Sequence, residues 1–161
     1  MPDLAGQNTY KALARCVLAW AALSFGLNLL WEIAQLPLYR IPQDQGPLYA
    51  AYAVLHCTAG DVLIAVTSFL ITVGVLRDLD WLSSQPWRGV MLVTFCGFTY
   101  TVLSEWRNVY QTGAWAYSSE MPLILGIGLA PMLQWLVVPP ATLAILRFRA
   151  RADRYRPSKQ R

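Results

Sequence analysis

Glu32, His56, Asp61 and Glu105 are four ionisable side chains set inside stretches that are otherwise apolar. Placing one such group at the centre of a bilayer costs about 2.5–3.5 kcal/mol. Four together cost roughly 10 kcal/mol, comparable to the whole stability of a domain. They are therefore expected to face one another, a cavity or a ligand. A carboxyl in an apolar setting, paired with an imidazole that titrates near neutrality, can deliver a proton at one carbon or oxygen and remove one at another. Trp31 and Trp106 each neighbour one of the glutamates and could steady a transient cation through their π faces.

Helical periodicity places amides and hydroxyls beside these groups. At 100° per residue, Ser24, Asn28, Trp31, Glu32 and Gln35 share one stripe, and Thr94, Gly97, Thr101, Glu105 and Asn108 share another. Tyr49, Tyr52, His56, Gly60 and Thr67 line up on a third. Glu32, His56 and Glu105 are expected to handle protons, with Asp61 as a further candidate. Asn28, Gln35 and Asn108 would orient them. Trp31, Tyr52, Thr101, Trp106 and Gln134 would complete the substrate pocket. Counted at 1.5 Å per residue, Glu32 and Glu105 lie ~8 Å and His56 ~10 Å below one membrane surface, which puts the three at one level. Asp61 falls ~140° around the helix from His56 and ~8 Å deeper, where Gln134 or a carbonyl freed by a proline could partner it.

Other chemistries find less support. A carboxylate-bridged metal pair wants Glu-x-x-His, and structural zinc wants closely spaced Cys and His; neither pattern occurs. A lone His excludes bis-histidine haem. Cys16, Cys57 and Cys96 form no C-x-x-C and read as small buried apolar residues. Ser104 adjoins Glu105 without a nucleophile motif around it. No metal and no cofactor are expected.

The elements that must carry these groups are long and oily. The 161 residues are 56% apolar and only 14% charged, with a mean hydropathy of +0.37; a soluble domain is about 25% charged. Four windows, 15–38, 49–76, 89–110 and 121–146, each exceed the ~20 residues that cross a bilayer. The expected fold class is all-α: an integral membrane four-helix bundle forming one domain over 1–161. Gly126, Gly128, Pro131, Pro139 and Pro140 are expected to make its fourth helix irregular. The first helix reads as retained rather than as a cleaved signal.

Lys11, Arg15, Arg77, Arg88 and the basic tail 147–161 mark one side, against Arg40 and Arg107 on the other. Both termini are thus expected to be cytoplasmic, in a cell inner membrane crossed several times. The tail is expected to meet anionic headgroups rather than nucleic acid. Trp81, Trp87 and Trp115 lie in connections, as an interfacial aromatic belt would. The functional expectation is acid–base chemistry of isomerase, cyclase or hydratase type on a lipid-soluble molecule. The alternative is a non-catalytic membrane subunit or small transporter component, in which the buried polar groups hold helices together. Membrane lipids, and a second copy or another membrane protein, are the expected partners.

Overall fold

The computed structural model describes residues 4–155, and it is 83% helical with no real sheet. α1 runs over Leu4–Gln35 and gives way to a short 3-10 turn at Leu36–Leu38, because Pro37 cannot donate to the α-helical ladder. A one-turn α2, Ile41–Gln45, leads through Gly46, at φ +82°, into α3, Pro47–Leu76. Arg77 closes α3 in the left-handed region, and its backbone N–H donates to the Val73 carbonyl. α4, Trp81–Ser84, precedes α5, Pro86–Trp106. α5 ends in a π turn, Arg107–Gln111. A small hairpin, β1 (Leu123–Ile124) and β2 (Ile127–Gly128), runs directly into α6, Leu129–Tyr155. α1 and α5 each pack against both α3 and α6.

Three helical stretches are long and apolar enough to cross a membrane: Gln7–Leu38, Pro47–Leu76 and Leu129–Ala152. α5 has the length at 21 residues. It carries Thr94, Thr99, Thr101, Ser104 and Glu105 and is less apolar than the other three.

Two boundaries differ from the sequence expectation. α1 begins eleven residues before position 15, since the polar arm continues the same helix. The fourth window, 121–146, is not helical throughout: residues 123–128 form the hairpin and α6 starts at Leu129. Leu125 and Gly126 both have positive φ, +52° and +85°, which makes the two-residue turn between β1 and β2. Gly126 and Gly128 therefore sit in the hairpin and not in an irregular helix. Pro131 lies in the first turn of α6, where its missing N–H leaves no ladder position empty. Of the expected tail, 147–155 continues α6, and 156–161 lies outside the described residues.

An aromatic core closes the end opposite the hairpin. Trp20, Phe69 and Trp81 are fully buried, with ring centroids 5.6 Å (Trp20–Phe69), 5.8 Å (Trp20–Trp81) and 5.0 Å (Phe69–Trp81) apart. Trp81 is thus a core residue, not an interfacial anchor, whereas Trp87 is exposed. α5 admits two indoles onto its backbone through glycine. A Cβ at Gly89 would stand 1.9 Å from the Trp81 ring, and one at Gly97 would stand 1.9 Å from the Trp135 ring.

Candidate functional site

Toward the hairpin end, the helix contacts change from aromatic to polar. Gln134, in the second turn of α6, is 2% exposed. Its Nε2 donates to Asp61 Oδ2 on α3 at 2.7 Å and to Asn28 Oδ1 on α1 at 2.9 Å, and it lies 3.4 Å from Glu32 Oε1. Glu32 accepts a second bond from Gln35 Nε2 at 2.8 Å, and Gln35 Oε1 accepts from the Trp31 indole at 3.2 Å. The carboxyl groups of Glu32 and Asp61 also lie within hydrogen-bonding reach of each other. Asn28 Nδ2 is buried with no hydrogen-bond partner among the described residues.

A second polar group stands beside the first. Glu105, at the end of α5, is 6% exposed. Its Oε2 accepts from the Tyr117 hydroxyl at 2.6 Å and from Trp115 Nε1 at 3.4 Å. Tyr117 in turn accepts from the Gly128 backbone N–H at 3.0 Å, so the hairpin fixes the phenol. Tyr39 stacks obliquely on Tyr117 at 5.6 Å and also reaches Glu105. The two loops are stitched together: Arg40 N–H donates to the Ala116 carbonyl and Ser118 N–H to the Leu38 carbonyl, both at 2.9 Å. Both phenols lie in loops, and both are held above the ordinary tyrosine value. For Tyr117 the causes are burial and then its bond to Glu105. For Tyr39 they are burial and then the charges of Glu105, Tyr117 and Glu32.

The carboxyl groups of both clusters share a cavity of about 550 Å³, within the range of small-molecule sites, whereas Asn28, Trp31 and Tyr117 stand behind its lining. Glu32, Asp61, Glu105, Gln35, Gln134, Thr101 and Asn108 all line it. Asn108 is held by α5 itself, donating to the Ser104 carbonyl at 2.9 Å and to Ser104 Oγ at 3.1 Å. Leu63, Ile71 and Tyr100 line the cavity and are also 68%, 48% and 55% exposed, so its mouth opens sideways between α3 and α5. Among the described residues, no group of three or more His, Cys, Asp or Glu is arranged to hold a metal ion. No protein-family model, no curated protein and no solved structure matches the chain.

Not every residue expected at the site joins the cluster. The register of α3 brings Asp61, not His56, to the level of Glu32. His56 stands five residues, ~7.5 Å, nearer the hairpin end. There it is exposed, stacks on Tyr52 at 5.5 Å and touches the cavity from its margin. Tyr52 is 57% exposed and Trp106 50% exposed; neither lines the cavity. Trp31 reaches the cluster through its bond to Gln35. Gln134 does meet Asp61, the partner expected for it, midway along α3, although α6 begins eight residues later than position 121. Spacing does not single out Tyr39. Its signal in the sequence is a tyrosine directly after a proline-broken helix end, which is too common to read.

Proposed function

We propose that the chain is a four-span helical membrane protein that performs acid–base chemistry on a lipid-soluble molecule. One observation carries this: carboxyl groups from three different helices, Glu32, Asp61 and Glu105, line a single cavity whose mouth has an apolar rim. Groups so costly to place in hydrocarbon are retained where they serve a function. Glu32 and Asp61, joined by Gln134, form an acid pair suited to holding one exchangeable proton. Glu105, oriented by Tyr117 and Trp115, is the complementary base. His56, at the margin, connects the cavity to water at the membrane surface.

α5 is the fourth span, its Thr101, Ser104 and Glu105 turned to the cavity. Lys11, Arg15, Arg77, Arg88, Arg147, Arg149 and Arg151 fall at the end opposite the hairpin. This supports cytoplasmic termini in an inner membrane, with Glu105 and the end of the cavity nearest the hairpin toward the outer surface.

The hydrogen bonds of Gln134 across to α1 and α3 favour a second reading, in which the polar cluster only holds the helices together. Lipid copurifying with the wild-type protein separates the two. It is identified by mass spectrometry and returned to wild type, Glu32→Gln and Glu105→Gln. Under the acid–base reading the wild type converts it, and each variant still binds it but converts it at least about 100-fold more slowly. Conversion at the wild-type rate by both variants overturns the enzyme. Loss of protein level without a change in activity per molecule supports packing.

A further inference from the structure

The shape of the cavity narrows what it holds. Ala53, Cys57, Gly60, Ile64, Thr67 and Ile71 all line it. Their spacing of three or four residues makes one continuous stripe along α3. From Ala53 to Ile71 the stripe rises ~27 Å, close to the ~30 Å of a whole hydrocarbon core. A cavity of about 550 Å³ lined along that stripe is an elongated groove, open to the side at Leu63, Thr67 and Ile71. Its length suits one extended chain better than a compact fused ring system. The Glu32–Asp61 pair does not close the groove. Asp61 lies eight residues from Ala53 and ten from Ile71, so lining continues ~12 Å toward the hairpin and ~15 Å the other way.

Resting on the acid–base reading of this site, we propose that its substrate is a single extended hydrocarbon chain, longer than one leaflet is thick, that enters sideways between α3 and α5 and presents an interior position to the carboxyl pair. Its polar end lies at the level of His56, Tyr39 and Trp115. Its tail runs past Thr67 to Ile71. A chain with its reactive carbon at the tip would leave the Ile64–Ile71 half of the groove empty.

Binding of primary alcohols lengthening from about 10 to about 24 carbons, followed by native mass spectrometry in detergent, tests this. The wild type should bind the long members best. Thr67→Trp and Ile71→Trp, both at exposed positions that leave the core untouched, should weaken the longest chains by at least about tenfold, the equivalent of two methylenes removed from contact. The shortest chains should bind as before. Thr67→Ala should behave as wild type. An unchanged length profile in both Trp variants, or tighter binding of a sterol than of any alcohol, overturns the proposal. The length profile is read from binding alone and the acid–base reading from conversion by Glu32→Gln, so the two failures are told apart.

Discussion

Gln134 Nε2 on α6 stands 2.7 Å from Asp61 Oδ2 on α3. The same nitrogen reaches Asn28 and Glu32 on α1. One amide thus ties three helices at the level of the acid pair, and replacing it removes a donor from three oxygens at once. An interhelical hydrogen bond inside a membrane averages about 0.6 kcal/mol, rising to about 1.7. Leaving several buried acceptors unpaired moves the expected loss for Gln134→Leu to about 2 kcal/mol. Thermal unfolding in detergent measures it. Gln134→Glu restores an oxygen but no reliable donor and should not recover the loss.

Gly97 and Gly74 should part company when each is changed to alanine. At Gly97 the new Cβ would overlap the Trp135 ring, while at Gly74 nothing lies within 4 Å. Overpacking of this kind costs about 1–3 kcal/mol. Gly97→Ala should therefore lower the unfolding temperature or the yield of folded protein, and Trp135→Leu in the same chain should recover part of it. Gly74→Ala should be neutral or slightly stabilising, because alanine favours a helix.

Tyr117 gives the molecule an alkaline signature. Burial first, and then its bond to Glu105, raises the phenol above its ordinary value of 10.0. The folded state thus holds that proton more tightly than the unfolded chain. The stability this contributes is fully present below pH ~10 and is lost as pH rises through the folded value. Absorbance titration of phenolate should show Tyr117 ionising after the exposed tyrosines, and Tyr117→Phe should remove that late component. A late component that survives the substitution belongs to Tyr39, which is also raised.

The loop Asp78–Gln85 should weaken in acid. Asp78 accepts from Ser84, the Asp80 backbone N–H and Gln85, and these bonds hold its carboxyl below the usual value of 3.8. The bonds are at full strength above that value and are lost as pH falls through the lower folded one. Hydrogen exchange at Asp80 should speed up in that range, and Asp78→Asn should speed it at neutral pH.

Much of this is legible in residue types and periodicity. The apolar blocks around Asn28–Gln35 and Tyr52–Thr67 announce long helices, and the cost of burying carboxyls announces that Glu32 and Glu105 share surroundings. Depth is not legible in the same way. Counting from Tyr49 assumes that α3 starts at the same level as its neighbours, yet α3 is offset along its axis. The offset sets Asp61 beside Glu32 and leaves His56 at the margin. Such an offset depends on tertiary packing, above all on Phe69 against Trp20 and Trp81, which no local pattern encodes. The hairpin is hidden for a different reason. Leu123, Ile124 and Leu125 are as apolar as a span, and only Gly126 and the positive φ at Leu125 reveal the turn.

Proton exchange between solvent and a bound chain tests the acid–base site most directly. The purified protein is incubated in deuterated buffer with the lipid that copurifies with it, and the lipid is then extracted and weighed by mass spectrometry. A site in which one carboxyl delivers a solvent-derived deuteron to carbon and another removes a proton should add one mass unit per turnover. The label should sit at an interior position and be absent with Glu32→Gln and with Glu105→Gln. A lipid that is bound, intact and unlabelled after prolonged incubation with wild-type protein would contradict the chemistry assigned to Glu32, Asp61 and Glu105.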